Sequence, residues 1–109
     1  MKDAPRRGFL YWAYLDKRRP VLVISQDIRN RYASGVLIVP CYSHLRFAPT
    51  HVELKSGEGG AAHASMLHAE EITTLFKPDL VSGPLGPPLT PSRLSEVEHA
   101  VMLAIGVVV

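Results

Sequence analysis

Apolar residues along this chain fall into short runs separated by charge, glycine or proline, and the rhythm changes only near the C-terminal end. Phe9 to Leu15 is rich in aromatics (Phe9, Tyr11, Trp12, Tyr14), a composition suited to a half-buried strand. The charges Asp16-Lys17-Arg18-Arg19 interrupt that run, and Pro20 forbids a helix and holds Arg19 extended. Val21-Leu22-Val23-Ile24 is continuously apolar and predicts a second strand, buried on both faces. The polar stretch from Asp27 to Gly35, with Asn30, Ser34 and Gly35 as turn formers, predicts a loop or a short helix. Val36-Leu37-Ile38-Val39 predicts a third strand that stops at Pro40. Thr50 to Leu54 alternates as a fourth, and Ser56 to Ala62, with its glycines, reads as a flexible turn. Ser65 to Leu75 is weakly patterned and predicts a fifth strand.

The prolines at 78, 84, 87, 88 and 91 make the next segment a stiff connector. Thr90-Pro91 then has the form of a helix N-cap followed by a first-turn proline. Leu94, Val97, Val101, Ala104 and Ile105 share one helical face, with Glu96, Glu98 and His99 largely off it. Gly106 ends this helix and leaves Val107-Val108-Val109 as an apolar tail. Short strands followed by one late amphipathic helix predict a mainly β, α+β fold: a small curved antiparallel barrel capped by a C-terminal helix. No repeat or second domain is visible, so residues 1–109 read as one domain. A core this small, together with the apolar tail, predicts a homodimer.

Composition narrows the classes. With 12 Lys+Arg against 10 Asp+Glu the net charge is only +2, and 47% of residues are hydrophobic. This excludes both a disordered chain and a polybasic scaffold that holds nucleic acid by bulk charge. The single Cys41 cannot form an intrachain disulfide, which points to a reducing compartment and a cytoplasmic location. The basic N-terminus, including Met1 and Lys2, is not followed by the apolar core of a signal peptide, and no run reaches membrane-span length.

Three segments carry candidate chemistry. Lys17-Arg18-Arg19-Pro20 is a cationic cluster between two strands, and an Arg fixed by a flanking proline presents its fork to a phosphate. Tyr42-Ser43-His44 brings hydroxyls and an imidazole to the end of a core strand. Glu70-Glu71 supplies carboxylates that accept hydrogen bonds from exocyclic base amines. The histidines at 51, 63, 68 and 99 match no compact metal motif, so neither a metal nor another cofactor is expected. The closest grouping by sequence is His63 and His68 with Glu70 and Glu71.

Arg7-Gly8-Phe9-Leu10-Tyr11-Trp12, Arg19-Pro20-Val21-Leu22-Val23-Ile24-Ser25, Val39-Pro40-Cys41-Tyr42-Ser43 and Pro49-Thr50-His51-Val52-Glu53-Leu54 occur in a familiar order. Together with Ser65 and Ala69-Glu70-Glu71-Ile72-Thr73-Thr74-Leu75, they make the chain resemble the MazF/PemK toxin family over nearly its whole length. The resemblance implies a homodimer of SH3-like antiparallel β-barrels with a C-terminal helix. It implies a metal-independent, sequence-specific endoribonuclease of a toxin–antitoxin pair that cuts single-stranded mRNA. It also implies a cognate antitoxin that lays an acidic, otherwise disordered segment over the RNA groove.

By the same resemblance, the family's catalytic Arg falls on Arg19. The catalytic hydroxyl, carried after the third strand in a Pro-x-Thr pattern, falls on Tyr42 or on Ser43 beside it, and Ser43 is the closer chemical substitute. Lys17, Arg18, Tyr42, His44 and Glu71 are the candidate RNA contacts, and His44 is also a candidate general base that the residues suggest and the family pattern does not specify. The implied reaction is attack by the RNA 2′-hydroxyl on the adjacent phosphate, leaving a 2′,3′-cyclic phosphate and a 5′-hydroxyl end. Arg19 would offset charge in the transition state. The alternatives are a CcdB-like toxin that poisons gyrase without catalysis, and an inactive relative that acts as a binding module.

Overall fold

The computed structural model describes residues 3–107, so Met1 and Lys2 of the basic N-terminus and Val108-Val109 of the apolar tail lie outside the described residues. Seven strands are joined by tight turns: β1 (Leu10–Tyr14), β2 (Arg18–Val23), β3 (Gly35–Tyr42), β4 (His51–Leu54), β5 (Ser65–His68), β6 (Thr73–Phe76) and β7 (Leu80–Ser82). Two helices complete the chain, the short α1 (Asp27–Tyr32) and α2 (Pro91–Ala104). The strand order is β4-β5-β3-β2-β1-β7, with β6 added against β3, and every pairing is antiparallel.

Period-two alternation sorts the central strands between two cores. Leu10, Leu22, Val39 and Cys41 turn to one side, where Leu54, Leu67 and, from α2, Val97 and Ala100 complete a cluster. Tyr11, Ala13, Val21, Val23, Val36 and Ile38 turn to the other, with Leu75 and Leu80. The expectation that residues 21–24 are buried on both faces is therefore met.

Several expectations are corrected. The strands do not close into a barrel: the path ends at β4 and β7, and α2 packs against β4 and the turn after β5. Pro40 does not stop β3, which runs on to Tyr42. One edge of β3 pairs with β6 through Ile38 and with β5 from Cys41, so Pro40 lies in the gap between the two ladders, where a missing N–H disrupts neither. The predicted fifth strand is two strands, β5 and β6, parted by a single 3-10 turn at Ala69–Glu71. The proline-rich connector contains β7, which pairs with β1.

Asn30 is a buried tie and not a surface turn former. Its Nδ2 donates to the Ser25 carbonyl at 2.9 Å, while Ser25 Oγ donates to Asn30 Oδ1 and accepts from Leu37 N at 3.0 Å. The Ser56–Ala62 segment is also tied down. Gly60 has φ +89°, and a Cβ there would stand 2.5 Å from the Leu85 carbonyl, so only glycine permits this approach.

The C-terminal helix follows its sequence signals. Thr90 Oγ1 accepts from Arg93 N at 3.2 Å, Pro91 opens the first turn, and Gly106 takes φ +88° after the last.

Candidate functional site

Strand register explains how the site assembles. Val21 faces Pro40 across β2 and β3, so carrying that register two residues further places Arg19 opposite Tyr42. The Arg19 guanidinium lies 4.2 Å from the centre of the Tyr42 ring. Arg19 is only 7% exposed, and its charge is met at the β1–β2 turn by Asp16. Nε and Nη2 donate to the two Asp16 oxygens at 3.0 and 2.9 Å. The hydrogen bond to Arg19 is the main reason that the Asp16 carboxyl sits below its ordinary value, and burial only partly opposes it. This fork fixes the guanidinium plane, and it also puts a carboxylate where an anionic ligand would bind.

From Tyr42 the contacts pass to the opposite carboxylates. Its hydroxyl donates to Glu71 Oε1, and its ring lies 4.1 Å from that of His68. Burial, and then Glu71, push the Tyr42 phenol up to about 12, so it is a proton donor near neutral pH and not a base. His68 Nδ1 stands 3.1 Å from Glu71 Oε2, and the His51 ring stacks on His68 at 3.8 Å. That stack is a cross-strand pair, since His51 and His68 face each other in the β4–β5 register. Nε2 of His51 is 2.8 Å from Glu70 Oε2, and Thr50 Oγ1 donates to Glu70 Oε1 at 3.1 Å. Burial opposes charge on His51, but the Arg46 carbonyl and Glu70 outweigh it and raise its pKa.

Beside this row lies a cavity of about 540 Å³ lined by Trp12, Pro20, Ser43, His63, Ser65 and Pro84, among others. Ser43 and His44 are exposed just past the end of β3, and Ser43 makes no side-chain hydrogen bond among the described residues. Lys17 and Arg18 are exposed at the β1–β2 turn, with the Arg18 guanidinium 4.8 Å from the Trp12 ring centre. Burial pushes the Cys41 thiol beneath the cavity up to about 11, leaving it protonated and a poor nucleophile.

Of the candidates, Arg19, Tyr42 and Glu71 are thus joined in one row of contacts, and Ser43 lines the neighbouring cavity with Tyr42. The sequence singles out Glu70 and His68, but it does not anticipate Asp16 and His51 as members. Asp16 had a signal, an acid three residues before the Arg across a tight turn. His51 had none, because its meeting with His68 depends on β4–β5 pairing. Of the His63, His68, Glu70 and Glu71 grouping, His68 meets both carboxylates, whereas His63 lines the cavity and His51 takes its place.

A family model described as PemK-like, MazF-like toxin of type II toxin-antitoxin system matches residues 6–105. The chain belongs to the PemK/MazF toxin family. It is 33% identical over 82 residues to endoribonuclease EndoA of Bacillus subtilis (strain 168), an overlap covering 66% of this chain and 71% of the relative. A solved mycobacterial endoribonuclease superimposes with a TM-score of 0.81 at 30% identity, over 95% of this chain and 93% of that one. Another mycobacterial endoribonuclease, solved in complex with its cognate antitoxin, gives 0.85 at 29% identity, over 97% and 99% of the two chains. The PemK/MazF fold is shared with the Deinococcus radiodurans MazF structures, at 21% identity and a TM-score of 0.83 for one of them. Among the described residues, no helix of this family member is long and apolar enough to cross a membrane.

Proposed function

We propose that this protein is the endoribonuclease toxin of a toxin–antitoxin pair and cuts single-stranded RNA without a metal. The observation that carries this reading is the Arg19 guanidinium held against Tyr42 by its fork to Asp16, with the exposed Ser43 next to Tyr42 in the chain, in a protein related to named endoribonucleases. The RNA 2′-hydroxyl attacks the adjacent phosphorus, the P–O5′ bond breaks, and a 2′,3′-cyclic phosphate and a 5′-hydroxyl result. Arg19 binds the scissile phosphate and offsets charge gained in the transition state, and Ser43 hydrogen-bonds a phosphate oxygen. Tyr42 orients the guanidinium through its ring and is held by Glu71. Lys17, Arg18, His44 and Glu71 contact the rest of the RNA.

An acidic antitoxin segment suits the exposed Lys17 and Arg18, and a mycobacterial relative is solved with its antitoxin. A homodimer is supported by Leu103, Ile105 and Val107, which stay exposed at and just beyond the end of α2. A cytoplasmic location follows from an RNA substrate.

The test is cleavage of a long defined RNA in EDTA, with the ends mapped. Arg19→Ala should lower the rate by about a hundredfold or more with far-UV circular dichroism unchanged. The fold survives because Asp16, the charge left behind, is already exposed. Ser43→Ala should cost roughly tenfold to a thousandfold, and Tyr42→Phe less than about tenfold, because its hydroxyl serves Glu71 and not the phosphate. A requirement for added metal, or an Arg19→Ala variant as active as wild type, would overturn this function.

A further inference from the structure

His51, His68 and Glu70 offer ring nitrogens and a carboxylate oxygen that lie within 4.8 Å of one another. We propose that these three residues form a zinc site, built from β4, β5 and the turn after β5 and adjoining the proposed RNA-cleaving residues through Tyr42 and Glu71. A shared zinc ion holds its nitrogen and oxygen ligands at about 2.0–2.2 Å, which puts ligand atoms roughly 3.3 Å apart in a tetrahedral set. Here Glu70 Oε2 stands 2.8 Å from His51 Nε2 and 4.0 Å from His68 Nδ1, on either side of that spacing. Closing the site needs the two stacked rings to fan apart and the ligand atoms to move by about an ångström.

The tautomer of His51 is already the one a metal requires. Its Nδ1 is 2.5 Å from the Arg46 carbonyl, which can only accept, so Nδ1 carries the proton and Nε2 faces the carboxylate. Two acceptors meet there unless a proton or a cation lies between them. Ligating histidines almost always use the second ring nitrogen in this way, donating to a carbonyl or carboxylate that sets the ring. Thr50 does the same for the carboxylate by donating to Glu70 Oε1. Nε2 of His68 is buried without a partner, so no hydrogen bond on that side holds the ring against a shift. Both imidazole side chains are nearly buried, at 5% and 12% exposure, while Glu70 at 40% leaves an entry from solvent. Glu71, 3.1 Å from His68 Nδ1, or a water completes the coordination. Two imidazoles and a carboxylate favour zinc over the hard cations calcium and magnesium.

Calorimetric titration of the whole, metal-stripped protein with ZnCl2 tests the proposal, and CoCl2 gives a visible spectrum that reports the geometry. Wild type should bind one zinc per chain and show the visible bands of low-coordinate cobalt. His51→Asn, His68→Asn and Glu70→Gln should each weaken zinc binding by about tenfold or more, and His63→Ala should leave it unchanged. Glu70→Gln keeps the side chain's shape, so it carries the test if a histidine variant fails to fold. No saturable binding by wild type at roughly 1 mM zinc, or affinity retained in Glu70→Gln, would overturn the site.

Discussion

Asp16 is the residue whose role is least apparent from its exposed position. It pairs with Arg19 through a two-point fork, and in the proposed reaction it competes with the RNA phosphate for the same guanidinium edge. Asp16→Asn keeps the side chain's size and removes the competing charge. Binding of a non-cleavable single-stranded RNA should tighten by roughly twofold to fivefold, the effect of one exposed ion pair, as read by fluorescence anisotropy. At Tyr42, where the sequence departs from the Pro-x-Thr pattern, the geometry supports the proposal that Ser43 supplies the hydroxyl. The Tyr42 hydroxyl is committed to Glu71 and its proton is held to about pH 12, which leaves Ser43 as the free hydroxyl at the end of β3.

Among the elements, α2 depends on two local devices. Its N-cap is Thr90, and Thr90→Ala should cost about 1 kcal/mol in urea unfolding with the slope unchanged. Its first turns are pinned by Arg93, whose Nε donates to Glu58 Oε2 at 2.6 Å and whose Nη1 donates to Glu96 Oε2 at 2.7 Å. Burial alone would raise the Glu58 pKa, but the Arg93 hydrogen bond, with smaller contributions, brings it below the ordinary 4.5. A carboxyl whose folded pKa is depressed stabilises the fold above its unfolded value and loses that stabilisation as pH falls through the folded value. The stability difference between wild type and Glu58→Gln should therefore be full above about pH 5 and shrink steadily below 4.5 in pH-dependent melts.

At the scale of the molecule, the sheet is left open and one face of it is closed by α2. The apolar residues Leu103, Ile105 and Val107 remain outside both cores. Sedimentation equilibrium should give twice the chain mass, and charged substitution at Leu103 and Ile105 together should return the protein to monomer without lowering its helix content.

Much of this was legible in the chain. The short β-branched apolar run after Pro20 read as a strand, which holds through Val23, and Thr90-Pro91 and Gly106 bounded a helix by local chemistry alone. The Arg19-Pro20 and Ser43 segments stood out because their chemistry is carried by neighbours in sequence. Other features depended on pairings between distant strands, which local patterning does not encode. Pro40 sits inside β3 because β6 gives way to β5 at that point, and Ser65 to Leu75 breaks in two at the turn where Ile72 N donates to the Ala69 carbonyl at 3.2 Å, so that β5 and β6 pair with different stretches of β3. Likewise, 17 positions separate His51 from His68 in the chain, and only the β4–β5 register stacks them beside Glu70. The sequence by itself therefore determined the first four strands in outline, the C-terminal helix and the charged groups available to the site. Only the tertiary structure decided which of those groups meet, because strand register brings together side chains that no local spacing relates.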